Sequence, residues 1–129
     1  MINVFKFVFV IGAFIIGCLF SLCGCNDNIP VYGVYPKAGL ASWYVSKHTA
    51  SGEAYKESMF SCALRRRDFG RYYRVCNLAN NRCVVVRHNN FGPSRAMFNK
   101  GRIIDLSREA FAKIADLENG VIKVSVEEE

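Results

Sequence analysis

No apolar stretch of this chain is long enough for an ordinary membrane-spanning helix, which needs roughly 18 to 20 residues. The charge-free run from Phe7 to Leu22 covers 16. It follows a short start with one cation, Lys6, and leads into the small residues of Ser21-Leu22-Cys23-Gly24-Cys25. These are the three regions of a secretory signal, so residues 1–25 are predicted to be an export leader rather than a permanent anchor helix. Internal repeats and low-complexity tracts are also missing, which sets aside repeat arrays. The 129 residues leave room for one domain after the leader. Helical periodicity is confined to one segment near the end. That is too few helices for the crossovers of a parallel βαβ sheet, and many short strands with one helix point to a compact β-barrel.

Acidic residues are scarce relative to basic ones. Lys6 is the only charged residue of the leader, so the remainder carries 16 Lys and Arg against 11 Asp and Glu. A basic surface calls for an acidic partner. Inside a cell that partner is commonly nucleic acid, but an exported domain meets peptidoglycan carboxylates, lipid headgroups and wall polymers instead. The expected partner is therefore the wall and not nucleic acid, and the expected state is a monomer. The leader ends in Leu22-Cys23-Gly24-Cys25, which resembles the lipobox of bacterial lipoproteins. Cys25 is the expected lipidation site, with Ile15-Ile16-Gly17-Cys18 a looser fit. Stable anchoring requires several acyl chains, and the expected location is the cell envelope, lipid-anchored and facing periplasm or wall.

Three cysteines, Cys62, Cys76 and Cys83, follow the leader. Export favours a disulfide, and residues 72–87 read as two strands around a polar turn. A turn centred on Ala79-Asn80 puts Cys76 and Cys83 directly opposite each other; one centred on Asn80-Asn81 puts them on a diagonal. Their pairing leaves Cys62 over. No Cys-His arrangement surrounds it, so it reads as a small buried residue rather than a nucleophile.

Residues 26–38 read as a tether, 39–126 as the domain and 127–129 as an acidic tail. Gly39–Tyr44 is a predicted strand, and Ser46–Glu53 a polar loop holding the chain's only Thr, Thr49. Arg65-Arg66-Arg67-Asp68 is either a solvated turn or a docking patch for an anionic surface. Residues 88–93 break a strand with turn residues, the usual setting for a loop that presents side chains. Arg102–Leu106 is a predicted strand entering Ser107, an expected N-cap. Ala110, Phe111, Ile114, Ala115 and Leu117 then repeat at helical spacing, with Asn119-Gly120 as the stop. Residues 121–126 form a β-branched last strand.

Five blocks in order, GLASWY at 39–44, TASGEAY at 49–55, VCNLANNR at 75–82, VVVRHNNFGP at 84–93 and GRIIDLS at 101–107, together resemble the rare lipoprotein A family. The resemblance implies a mainly β fold, a six-stranded double-psi β-barrel with one short helix, of the kind found in expansins. It also implies an endolytic lytic transglycosylase acting on peptidoglycan glycan strands, often those stripped of peptide. The alternative is a non-catalytic, expansin-like glycan binder. The reaction needs one group to protonate the glycosidic oxygen and one to help the sugar's own 6-hydroxyl close a 1,6-anhydro ring, so no metal or cofactor is implied.

The family's functional residues are a Glu in Asn-Gly-Glu, a His in Thr-Ala-Ala-His and the Asp of Asn-Asp-Arg-Gly-Pro. The Glu falls on Glu53, the His on Leu64 and the Asp on Asn90. An amide cannot exchange a proton near neutral pH, so the expected catalytic residues are Glu53 with Asp105 or His88. Asp105 has an equal claim to be a helix-flanking acid. His88 is expected on the strand face of Asn90, or else hydrogen-bonded within the fold. Asn89, Asn90, Tyr44 and Arg87 are the expected glycan contacts. Trp43 is divided between sugar stacking and core packing.

Overall fold

A computed structural model describes residues 35–56 and 58–129. The expected leader, the expected lipidation site at Cys25 with its looser alternative Cys18, and most of the expected tether lie outside the described residues. The compact unit runs from Tyr35 to Glu129.

Its strands are β1 (Ala38–Tyr44), β2 (Ser61–Leu64), β3 (Tyr72–Asn77), β4 (Cys83–Phe91), β5 (Arg102–Ser107) and β6 (Val121–Glu128), with helices α1 (Arg95–Asn99) and α2 (Arg108–Ile114). They close into a barrel in the order β1-β5-β2-β4-β3-β6. The β1/β5 and β2/β4 pairs are parallel, whereas β2/β5, β3/β4, β3/β6 and β1/β6 are antiparallel. Closure leaves no free edge. The core is apolar and β-branched, with Val75, Val86, Ile104, Leu106 and Val124 sealed from solvent and capped by Phe111 and Ile114 of α2. The second position of β1 is a glycine, Gly39, because a Cβ there would sit 2.9 Å from the Gly101 carbonyl oxygen and 2.9 Å from the Ile103 side chain.

Several boundaries differ from the sequence expectation. Tyr35, inside the expected tether, packs on the core and donates its hydroxyl to the Ile103 carbonyl at 2.5 Å. Glu127 and Glu128, expected as a solvated tail, belong to β6, and Glu129 accepts from Arg74 Nε at 3.0 Å. Ser107 stands at the N-cap of α2, but its hydroxyl accepts from Ser61 N at 3.1 Å and donates to the Met59 carbonyl at 2.9 Å, so it ties strands rather than capping the helix. The helix also ends earlier than its periodicity suggests. Ala115 is extended at φ −160°, a single 3₁₀ turn covers Leu117–Asn119, and Gly120 with φ 67° makes the stop. A second short helix, α1, went unforeseen in the stretch after Pro93.

Cys76 and Cys83 are direct partners in the β3/β4 ladder and form a disulfide of 2.05 Å. The connection is longer than a two-residue turn. Asn77 N–H bonds the Arg82 carbonyl at 2.8 Å, Asn77 Oδ1 accepts from Ala79 N at 3.0 Å, and Asn81 takes the left-handed φ of 59°. Crosslinking such a short loop is worth about 2 kcal/mol. The paired substitution Cys76→Ser with Cys83→Ser is expected to lower unfolding stability by that amount in a urea melt, without loss of the folded state.

Candidate functional site

The barrel's register decides which side chains can meet. One lateral row joins Leu106, Cys62 and His88, all buried and facing inward. The next row joins Ser42, Asp105, Ala63 and Asn90 on the opposite face. Directly paired residues share a face, so Asp105 and Asn90 stand on one face of the sheet with Ala63 between them, roughly 10 Å apart by strand spacing. Beyond Ala63 the floor stays low at Gly92, where a Cβ would lie 3.7 Å from Asp105 Oδ2.

A bulge in β4 breaks the alternation there. Cys62 pairs with His88 but Ala63 pairs with Asn90, so Asn89 is an extra residue. The expectation that His88 shares a face with Asn90 is therefore corrected. His88 is 0 % exposed, its Nδ1 is 2.8 Å from Asp68 Oδ1, and its Nε2 is 3.0 Å from the Asn90 carbonyl. Both ring nitrogens are therefore engaged within the fold. In this arrangement His88 is a structural group and cannot reach a sugar.

The bulge turns Asn89 and Asn90 toward the loop that carries Glu53. Ser51 N–H bonds the Asn89 carbonyl at 3.1 Å, and Ala50 N–H bonds Asn90 Oδ1 at 3.0 Å. Phe91 N–H reaches the same oxygen at 2.9 Å. Within the loop, Gly52 at φ 87° makes the turn, and the Thr49 hydroxyl closes onto the Glu53 carbonyl. Glu53 then meets Arg87 through Oε1 at 2.7 Å from Nη2 and 3.2 Å from Nε, with Asn89 Nδ2 3.4 Å from Oε2. The Arg87 guanidinium, helped by Asn89 against a smaller cost of burial, holds the Glu53 carboxyl below its usual range. Arg87 is thus engaged with Glu53, with its Nη1 also on the Gly70 carbonyl at 3.2 Å.

Asp105 stands across Ala63 from Asn90. Its Oδ1 accepts from the Ser42 hydroxyl at 2.7 Å, and Arg102 Nε stands 3.0 Å off without the angle for a hydrogen bond. Tyr44 lies beside Asn90 and Ser61 with its hydroxyl buried and unpaired, and burial pushes its pKa up to about 12. Trp43 is tied to the Leu117 carbonyl at 3.0 Å and packs on the core. Cys62 is buried and unpaired, and burial pushes its thiol up. Among the described residues no group of three or more His, Cys, Asp or Glu is placed to hold a metal ion.

Sequence reasoning missed Ser42 and Asp68. Ser42 was read only as part of a strand, although its alternation with Ala41 and Trp43 marks the outward face. Asp68 was merged into an arginine run, where a lone acid after three cations was the available signal.

A family model described as lytic transglycolase matches residues 36–126, which is the barrel from β1 into β6. The chain belongs to the lytic transglycolase family. As a lytic transglycolase relative it is 43 % identical over 97 residues to the endolytic peptidoglycan transglycosylase RlpA of Pasteurella multocida, a match covering 72 % of this chain and 32 % of that protein. It is 40 % identical, again over 72 % of this chain and 32 % of the relative, to the protein of the same name in Haemophilus influenzae. The chain thus spans about a third of the length of these relatives. Two solved structures share the barrel. The Streptomyces papain inhibitor superposes with a TM-score of 0.55 at 26 % identity, covering 69 % of this chain and 91 % of that one. The apo expansin of Clavibacter michiganensis superposes with a TM-score of 0.55 at 16 % identity, covering 72 % and 50 %. Leu64, the position to which the resemblance assigns a His, is fully buried.

Proposed function

We propose that this protein is a cell-envelope lytic transglycosylase that cleaves peptidoglycan glycan strands in the groove over Asp105, Ala63 and Asn90, at a rate held down by Asn90. The observation that carries the proposal is the pairing of Ser42, Asp105, Ala63 and Asn90 in one lateral row, whose half-buried Asn90 end adjoins the loop of Glu53. Family membership and the names of the relatives support the substrate class.

In this reading Asp105 gives its proton to the glycosidic oxygen as the C1–O bond breaks. Its carboxylate then takes the proton of the sugar's 6-hydroxyl as that oxygen bonds C1, so one acid-base group closes the cycle without water. Glu53, kept ionised by Arg87, offsets positive charge developing on the sugar and with Asn89 binds its hydroxyls. Asn90 and Tyr44 contribute hydrogen bonds. Lipidation at Cys25 would hold the domain near the wall as a monomer.

The test is digestion of peptide-stripped glycan strands with mass-spectrometric detection of 1,6-anhydro ends. Such ends are expected from the native protein, and Glu53→Gln is expected to lower their rate roughly tenfold to a hundredfold. A second reading, a glycan binder without catalysis, is favoured by one feature. Asn90 Oδ1 is occupied by two backbone N–H groups, so no ionisable group stands at that position. Tight strand binding with no anhydro ends at any enzyme concentration would establish that reading instead.

A further inference from the structure

One end of the barrel carries cations without acids along most of its rim. The parallel strands β2 and β4 end there, at Leu64 and Phe91, and β5, antiparallel to β2, begins there beside its parallel partner β1. Three connecting segments therefore meet at this end: 35–37 entering β1, 65–67 leaving β2, and 92–101 between β4 and β5. They hold Lys37, Arg65, Arg66, Arg67, Arg95 and Lys100, and no Asp or Glu. The glutamates of β6 stand at the same end but on its β3 side, where Arg71 and Arg74 meet Glu128 and Glu129.

Aromatic contacts bind the three segments into one face. The rings of Tyr35 and Phe98 are 5.8 Å apart between centres, and the Tyr35 hydroxyl accepts from the Arg65 backbone N–H at 3.1 Å. Arg65 Nη1 donates to the Pro93 carbonyl at 2.9 Å. The guanidinium carbons of Arg65 and Arg67 lie 5.1 and 4.9 Å from the ring centre of Phe91, which is 38 % exposed. Arg66 is met by Asp68 at 3.1 Å, but among the described residues no carboxylate lies within 4.0 Å of the other cations on this face. Like charges held this close repel, and an anionic surface relieves the repulsion. Guanidiniums match phosphate oxygens, while arginine stems and an exposed ring suit the boundary between headgroups and acyl chains.

The point at which the chain enters the barrel selects among anions. Tyr35, where the compact unit starts, belongs to this face. It follows Cys25, the expected lipidation site, by ten residues, and a chain of that length spans at most about 35 Å. An acyl anchor at Cys25 would therefore attach the domain at its cationic face, which makes a bilayer the anion at hand.

We propose that the face formed by Arg65, Arg67, Arg95 and Phe91 docks the domain on the anionic phospholipid headgroups of a membrane. The docking goes beyond the chemistry of the groove and holds whether or not the groove cleaves. It would turn this end of the strands to the bilayer and leave the opposite end, with Arg82 before β4 and Arg108 after β5, away from it.

The test uses the full chain, purified in detergent from a bacterial envelope and reconstituted into vesicles of phosphatidylcholine alone or with about one-third phosphatidylglycerol. Arginine side chains are modified with phenylglyoxal and the rates are mapped by mass spectrometry. In the anionic vesicles Arg67 and Arg95 are expected to react about fivefold more slowly than in the neutral ones, with Arg82 and Arg108 unchanged and the slowing abolished at about 0.5 M salt. The charge reversals Arg67→Glu and Arg95→Glu, made together at exposed positions, are expected to leave Arg65 and Arg66 reacting equally fast in both vesicles, with the thermal midpoint unchanged. Equal rates for Arg67 and Arg95 in the two vesicles, or slowing of Arg82 and Arg108 to the same degree, overturns the docking face. Slowing by added peptidoglycan and none by phosphatidylglycerol overturns it in favour of a wall polymer. A chain that floats only with the anionic vesicles, and loses that in the double variant, lacks the acyl anchor but keeps the docking face.

Discussion

Asn90→Asp is expected to raise the rate of 1,6-anhydro end formation by about 10² to 10⁴, the usual worth of a positioned acid-base group. The site is built to accept the change. Asp and Asn have the same shape, and Asn90 Oδ1 already lies between the N–H groups of Ala50 at 3.0 Å and Phe91 at 2.9 Å. A carboxylate oxygen placed there would receive both bonds, which favour its ionised form. The second oxygen would replace the amide nitrogen on the side facing the Tyr44 hydroxyl. An ionised carboxylate at this position is a base, so it would take the 6-hydroxyl proton and leave Asp105 to serve as the acid alone. Splitting the two steps between two groups is the physical source of the gain. Rates are compared by single-turnover digestion of one strand preparation, with glycan affinity measured in parallel. A variant that binds as the native protein does and cleaves no faster would mean that Asn90 does not limit the chemistry. The groove would then be a binding surface or would depend on the buried Leu64 position.

The barrel was legible because its evidence is repeated along the chain. Runs such as Val84-Val85-Val86 and Arg102–Leu106 carry β-branched and apolar residues at strand length, and their order with one helix near the end leaves few architectures. The disulfide was legible for the same reason, since the direct opposition of Cys76 and Cys83 follows from a symmetric loop even though that loop has four residues, 78–81, and not two. The site was less legible. Which side chains share a face depends on strict alternation, and the extra residue at Asn89 breaks it between His88 and Asn90. One bulge therefore puts Asn90 on the other face from the inward-facing His88. Register across non-neighbouring strands is invisible in sequence as well. Ser42 and Asp105 are 63 residues apart and meet only because β1 and β5 run parallel in a closed barrel.

Ser107 shows a different limit. Its placement before a helical run marks a cap, and it does occupy the N-cap position. Its hydroxyl has stronger claims elsewhere, because the buried Ser61 N–H and Met59 carbonyl would otherwise lack that partner. A local rule yielded to a tertiary one, and nothing in residues 102–110 alone distinguishes the two outcomes.

Asp68→Ala is expected to lower unfolding stability at pH 7 by about 1 to 3 kcal/mol, the cost of leaving the buried His88 ring and Tyr73 hydroxyl without their acceptor. Asp68 sits under the site, where its Oδ1 faces His88 Nδ1 at 2.8 Å and its Oδ2 accepts from the Tyr73 hydroxyl at 2.6 Å. Arg66 Nη2 at 3.1 Å and Arg71 Nε at 3.8 Å complete the groups that face it. Removing the carboxylate strands a fully buried His88 whose other nitrogen is on the Asn90 carbonyl, so the loss also loosens the bulge that aims Asn89 and Asn90. The pH dependence has a definite sign. Burial alone would raise the Asp68 pKa, but Tyr73, Arg66 and His88 outweigh it and hold the carboxyl below its usual range. Arg87 does the same for Glu53. The unfolded chain therefore binds these protons at higher pH than the folded one does. The stabilisation is fully present above the ordinary carboxylate values of about 4 and is lost as pH falls through the folded-state values below them. Urea melts at pH 7 and pH 3 should show the native protein losing stability on acidification, and Asp68→Ala losing distinctly less because one of the two contributing groups is gone. An Asp68→Ala variant as stable as the native protein at pH 7, or one with an unchanged acid slope, would mean that His88 is held by its packing against Phe69 and Tyr73, at ring distances of 5.0 and 6.2 Å, rather than by Asp68.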